Sequence, residues 1–245
     1  MKQITLLIVL IALFSCQKQK TEVIICGTIH GAHKSNPNYT FDDLFMFIEN
    51  YNPDVIGVEI RAEDMDSTVN YLKNNYPSEM YESISKYNNK LVLGFDWLGQ
   101  DLEGKSIPKN YWKEICYRKK LQREQESDSL MLEKKTVLNT IQKERYAITL
   151  NSSIYELNDG RYDSLSTAFY DQLNLIYHDT KYALLSDFYR QRDEHIAQNI
   201  IDIIERHPGK KLIFLMGADH RFYSIKTIKQ KYGDKVSLDI AFNQH

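Results

Sequence analysis

The stretch Glu22–His30, EVIICGTIH, has a counterpart at Lys211–His220, KLIFLMGADH. Each is an apolar run of strand length followed at once by Gly-x-x-His. One such tetrapeptide arises easily by chance. Two, each closing an apolar run, point to equivalent positions at the ends of two central strands. Three more runs read the same way: Asp54–Glu59 (DVIGVE, after Pro53), Lys90–Phe95 (KLVLGF) and Val236–Phe242 (after Gly233). Continuous rather than alternating apolar character marks strands buried on both faces, the hallmark of a parallel sheet. Helical patterns at 41–50, 62–75 and 223–232 fall between the runs, so βαβ units are expected. The predicted fold is α/β, with a mainly parallel or mixed central sheet in two pseudo-repeated halves and a long helical insertion at about 104–206.

The insertion has its own character. Lys113–Glu144 carries eight basic and six acidic residues, interleaved, which marks a solvated helical face. Leu130, Val137, Leu138, Ile141 and Ile148 form a narrow apolar seam, read as a helical hairpin laid over the sheet. Asn158-Asp159-Gly160 breaks it, and a long helix or helix pair runs on to Arg206.

The chain opens on a different signal. Lys2 precedes an almost unbroken apolar run, Ile4–Phe14, too short to span a bilayer but suited to the core of a secretory signal. It ends Leu13-Phe14-Ser15-Cys16, which resembles a bacterial lipobox. That resemblance implies cleavage after residue 15, acylation of Cys16, a tether at 16–21 and one α/β domain over 22–245, held at a membrane of the cell envelope. An ordinary signal peptide is the alternative. A net charge of -2 over 245 residues, without a basic stripe, excludes a nucleic-acid partner. Three cysteines are too few for a disulfide scaffold. Cys26, inside an apolar run, reads as a buried small hydrophobe.

His30 and His220 are the lead candidates for chemistry, because functional groups gather at the carboxyl ends of strands in open α/β sheets. Glu59 closes a buried strand, where a carboxylate must be paired, ligated or at the rim. Asp96, at the end of the third run, follows the same logic, and Arg61 reads as a solvent-facing neighbour. Arg192 falls in the apolar stripe Leu185, Phe188, Tyr189, Ile196, Asn199, Ile200, Ile203 and Ile204. It needs an anionic partner there, either Glu59 or Asp96 in a structural pair or a substrate group. On the same helix, Asp193 should point away and His195 sit at the rim. His33 is a secondary candidate, read as a loop residue. There is no Gly-x-Ser-x-Gly elbow, phosphate-binding loop or dinucleotide fingerprint.

In order and strand context, Gly27–His30, Glu59, Arg192–Ala197 and Gly217–His220 resemble the TraB/GumN superfamily. That group is related to Tiki-type metalloproteases, erythromycin esterases and ChaN-like haem-binding lipoproteins. The resemblance implies an α/β fold with its site between two halves, acting on a peptide or other small-molecule substrate. It leaves three chemistries open. A divalent metal on His30, Glu59 and His220 would assist hydrolysis of a peptide or ester bond, with Arg192 holding the oxyanion. A histidine base oriented by Glu59 or Asp96 would need no metal. A binding lipoprotein would hold haem, with tyrosine as a ligand, although Tyr170, Tyr177, Tyr182 and Tyr189 lie at helix-packing positions.

Overall fold

A computed structural model describes residues 19–240 and 242. The signal segment 1–15 and Cys16 lie outside the described residues. Five strands, β1 (Thr21–Thr28), β2 (Val55–Arg61), β3 (Leu91–Asp96), β4 (Lys211–Gly217) and β5 (Val236–Asp239), form one sheet in the order β3-β2-β4-β1-β5. Every pairing is parallel. The α/β expectation holds, and all five apolar runs are strands, with β5 shorter than its run.

Side chains leave the two faces alternately, and both faces are covered. From β1, Ile24 and Cys26 join one core while Val23 and Ile25 join the other. The first core is roofed by α1 (Phe41–Tyr51), α2 (Val69–Asn75) and α3 (Ser78–Lys86). Thr40 and Asp43 close a capping box at the start of α1. On the other face lie α9 (Ala183–Arg206) and α10 (Ala218–Tyr232). Gly57 lies beneath Phe214; a Cβ there would meet its ring at 2.3 Å, so only glycine lets these strands pack flat. Full burial pushes the Cys26 thiol up to about 12, in keeping with a packing role.

Several details differ from the sequence reading. The predicted helix 62–75 is a 3-10 turn, Ala62–Asp64, then α2, because Thr68 caps a new start by accepting from Tyr71 N–H. Helix α3, entered from Pro77, had no counterpart in the reading. Helix α10 starts at Ala218, five residues early, so His220 stands in its first turn rather than in a loop.

From Tyr117 the insertion is a succession of helices: α4 (Tyr117–Ser127), α5 (Ser129–Lys134), α6 (Asn139–Asn151), α7 (Ile154–Leu157), α8 (Arg161–Tyr177) and α9. Gly160, at φ 97°, makes the expected break. Only one end of the hairpin lies over the sheet, where Ile148 packs against the first core. The rest builds a small core of its own, in which Leu121 and Met131 meet Tyr177, Tyr182 and Leu185, while α9 covers one face of the strands and Ile154, Leu157 and Tyr162 join the core on the other. The proposed seam holds only in part: Leu138 is buried and Ile148 packs inward, but Leu130 and Val137 are 60% and 63% exposed. Among the described residues no helix is long and apolar enough to cross a membrane.

The topology singles out one place on the sheet edge. From β2 the chain leaves toward β3, at one edge; from the adjacent β4 it leaves the opposite way, toward β5 at the other edge. Connections diverging from neighbouring strands open a crevice at their carboxyl ends. Glu59 and the second Gly-x-x-His segment stand at that crevice, with the first beside them on β1, the other neighbour of β4.

Candidate functional site

The β1–β4 register, Gly27 opposite Met216 and Thr28 opposite Gly217, brings the two histidine segments side by side. His30 follows β1 in left-handed backbone, φ 51°, a conformation a non-glycine residue holds only when its surroundings enforce it. His33 provides part of that enforcement. It accepts from Ile29 N–H through Nε2 at 3.3 Å, and its Nδ1 lies 2.8 Å from the Tyr39 carbonyl. Both ring nitrogens are thereby occupied, and burial lowers its pKa. His33 locks the turn that carries His30 and does not line the cleft.

His30, Glu59, Asp96, Arg192 and His220 line a single cleft of 240 Å³, walled by Leu98, Trp112 and Phe188. Each histidine is held through Nδ1 by a buried carboxylate. His30 Nδ1 is 2.7 Å from Glu79 Oε1, and the same oxygen accepts from Thr28 Oγ1 at 3.0 Å. His220 Nδ1 is 2.6 Å from Asp193 Oδ1. Neither carboxylate was a candidate. Asp193 is buried rather than turned away, because α10 docks alongside α9 and presents His220 to it. Glu79 comes from the overlooked α3; Pro77-Ser78-Glu79 carries the proline and first-turn acid of a helix start, a local signal that could have found it.

Arg192 is the hub. Its Nε donates to Asp96 Oδ1 at 2.9 Å, Nη2 to Glu59 Oε1 at 2.5 Å, and Nη1 to His220 Nε2 at 3.1 Å. Arginine can only donate, so this contact takes the neutral tautomer of His220 with its proton on Nδ1, toward Asp193; burial and Arg192 favour that form, while the Asp193 hydrogen bond and the Glu59 charge outweigh them and shift the His220 pKa upward from 6.5. The second oxygen of Glu59 accepts from Gly217 N–H at 2.6 Å. Burial opposes the Glu59 charge, but Arg192 and the two histidines outweigh it and hold the carboxyl down at about 2. Burial drives Asp96 the other way, above its usual range, with Arg192 opposing and Glu59 reinforcing. Two buried carboxylates thus share one guanidinium.

Arg61 is not solvent-facing. It is 2% exposed, pairs with Asp64 at 2.7 Å, and donates to the carbonyls of Leu102 and Lys105 at 2.7 and 2.9 Å. It pins the loop after β3 over the sheet edge. His195 stacks on Trp97, ring centroids 4.1 Å apart, as a packed rim residue.

The four helix tyrosines have occupied phenols. Tyr170 donates to Asp219, Tyr177 to Gln125 and Tyr182 to Asp128, while Tyr189 accepts from Gln122. Burial pushes Tyr170 well up and Tyr177 to about 12, which opposes the phenolate an iron ligand requires. Among the described residues, no group of three or more His, Cys, Asp or Glu is arranged to hold a metal ion.

Gly217 sets the width of the cleft. A Cβ there would lie 2.7 Å from His30 Nε2 and 3.5 Å from Glu59 Oε2. Gly217→Ala is therefore expected to displace the His30 ring, at a cost of about 1–3 kcal/mol in stability. Ring resonances of His30 that matched the wild type in the folded variant would contradict this placement.

No family model, curated protein or solved structure matches the chain.

Proposed function

We propose that this protein is a hydrolase of an ester or amide bond that uses a histidine base and no metal. One observation carries the reading: Glu79 grips His30 Nδ1, leaving Nε2 directed at the cleft beside Gly217 and Glu59. A carboxylate on Nδ1 fixes the tautomer in which Nε2 accepts a proton. In the proposed reaction a water held by His30 attacks a carbonyl carbon, and His30 Nε2 takes the water proton. The carbonyl oxygen gains charge on the Arg192 side, where that guanidinium borders the cleft. The imidazolium then returns the proton to the leaving group, so protons balance over the cycle. Glu59, bound to Arg192 and to Gly217 N–H, positions these groups.

The metal-assisted alternative asks His30, Glu59 and His220 to share one ion. As arranged, the three do not fit it. Both Glu59 oxygens accept hydrogen bonds, and His220 Nε2 faces a guanidinium. A divalent cation there would sit beside the Arg192 charge and displace three hydrogen bonds.

The discriminating experiment assays the protein on nitrophenyl esters and short peptides, with and without excess chelator. Turnover is expected to persist in chelator and to be lost in His30→Ala. Activity abolished by chelator and restored by a divalent ion would establish the metal reading instead. No turnover of any ester or amide would leave the hydrolase reading without support.

We also propose that the chain is a lipoprotein acylated at Cys16, on the strength of the signal-like segment. Cys16 and Thr21 are five positions apart. Strand β1 begins at the end of the sheet opposite the histidines and spans about 26 Å. An anchor at Cys16 therefore turns the cleft away from the bilayer, toward substrates in the aqueous phase.

A further inference from the structure

The cleft has a neighbour. Trp112 donates from Nε1 to Asn75 Oδ1 at 3.1 Å, and these two side chains line both the cleft and an outer hollow of 570 Å³. A short π-helical turn, Tyr111–Ile115, carries Trp112 and Lys113 to this boundary, entered through Asn110 in left-handed backbone, φ 62°. The proposed hydrolysis engages His30 and Arg192; the cleft wall toward the hollow is free for the rest of a substrate.

That wall carries one sign of charge. Arg118 and Lys119 line the cleft, and Lys109 and Lys113 are the ionic residues of the outer hollow. The acids in the cleft lining, Glu59 and Asp96, are both bonded to Arg192, so their charge is compensated within the site. Among the described residues, none of the three lysines makes a side-chain hydrogen bond or ion pair. The fold gains nothing from this placement: Arg118 and Lys119 stand in the first turn of α4, which holds no acid and where the helix dipole disfavours cations.

Arg118 is fixed in place before any ligand arrives. Its guanidinium stacks over Phe188, 3.8 Å from the ring centroid. Its Nη2 donates to the Leu98 carbonyl at 2.8 Å and to the Tyr111 hydroxyl at 3.2 Å. Gly99, at φ 110°, clears the space, since a Cβ there would lie 3.1 Å from Arg118 Nη1. The one carboxylate near it, Asp101, is 3.4 Å from Nη1 and 54% exposed, too loose to neutralise it fully. Arg118 itself is 19% exposed. A pinned, half-desolvated guanidinium binds carboxylate or phosphate oxygens with little further loss of side-chain freedom.

We propose that Arg118, Lys119 and Lys113 form an anion subsite, and that the substrate is an ester or amide bearing a carboxylate or phosphate away from the bond that is cut. The substrate assignment rests on the hydrolase reading. The anion subsite does not, because binding is measured without turnover.

The test has two arms, both on the full chain. In the first, glutarate and glycerol 2-phosphate are titrated at low ionic strength while the indole resonances of the two tryptophans are followed. Trp112 is expected to shift saturably, and Trp97, stacked on His195, to stay in place. The tighter of the two ligands identifies carboxylate or phosphate as the group recognised. Lys113→Gln combined with Lys119→Gln should weaken binding about tenfold. In the second arm, the nitrophenyl half-ester of glutarate is compared with nitrophenyl valerate, which has the same acyl length and no charge. The glutarate ester should show a kcat/KM about tenfold higher, an advantage that shrinks in high salt and is lost in Arg118→Gln. The ratio of the two esters is insensitive to partial unfolding of that variant, since both report on the same folded fraction. The proposal is overturned if neither anion moves Trp112 at millimolar concentration, or if binding is undiminished in the double lysine variant. It is equally overturned if valerate is turned over and the glutarate ester is not preferred. Saturable movement of Trp112 with no turnover of either ester would overturn the hydrolase reading and leave the anion subsite standing.

Discussion

Arg192→Met is expected to destabilise the fold by about 3–5 kcal/mol, the usual cost of removing one partner from a buried ionic cluster. Methionine keeps the apolar stem and removes the charge, so packing on α9 is largely conserved. Glu59 and Asp96 are each 5% exposed and would then face one another with no cation between them. The pH dependence has a definite sign. In the wild type the Glu59 carboxyl is held below its ordinary 4.5, at about 2. A depressed carboxyl contributes stability that is present above the ordinary value and lost as pH falls through the depressed one. In the variant both carboxyls lose Arg192 and gain stability on protonation. The gap between wild type and variant should therefore be widest above pH 4.5 and narrow toward pH 2. Urea denaturation at several pH values measures it. A loss below about 1 kcal/mol would mean that solvent screens the cluster as it screens a surface pair. Glu59→Gln placed on top of Arg192→Met should recover part of the loss, because one uncompensated charge goes with it.

His30→Ala is expected to lower kcat by about 10²–10⁴-fold, the range for removal of a general base. The pH profile is the more specific signature. Burial pulls the His30 pKa down, but the Glu79 hydrogen bond and the Glu59 charge outweigh it, and the net shift is upward from 6.5. Only neutral imidazole accepts a proton. Activity should thus rise with pH along a limb above 6.5 and be lost below it. Glu79→Gln removes the largest upward influence, so the limb should move down while the rate falls through disturbed orientation of the ring. A limb unmoved in Glu79→Gln would show that His30 is not the titrating base. Stability readings on the same variants separate this from a folding defect, since His30 is 41% exposed and little packing depends on it.

The main features of the site were legible in sequence because they depend on local pattern. Apolar runs of strand length identify β1 to β4 without reference to their neighbours. Glu59 and Arg192 stand out as charges where apolar residues belong, one at a buried strand end and one in a helix stripe. Their pairing follows from the cost of burying either alone. Arg61 escaped the same logic. Its burial depends on a loop some forty residues away, whose carbonyls of Leu102 and Lys105 it satisfies. The insert seam was misjudged for a related reason: spacing alone cannot tell which side of a helix a later helix will cover, and Leu130 ended outside.

The sequence by itself determined a parallel α/β sheet with two histidines at strand ends, because hydrophobic period and strand length are properties of short segments. Only the tertiary structure decided what those histidines can do. Glu79 stands 49 residues from His30, and Asp193 stands 27 from His220. No periodicity links either pair. The partner of each Nδ1, and hence the tautomer and the direction of each pKa shift, is set by how α3 packs against β2 and the turn after β1, and how α9 packs against α10. Imidazole chemistry is governed by a hydrogen bond of under 3 Å, a distance that only packing between remote segments can fix.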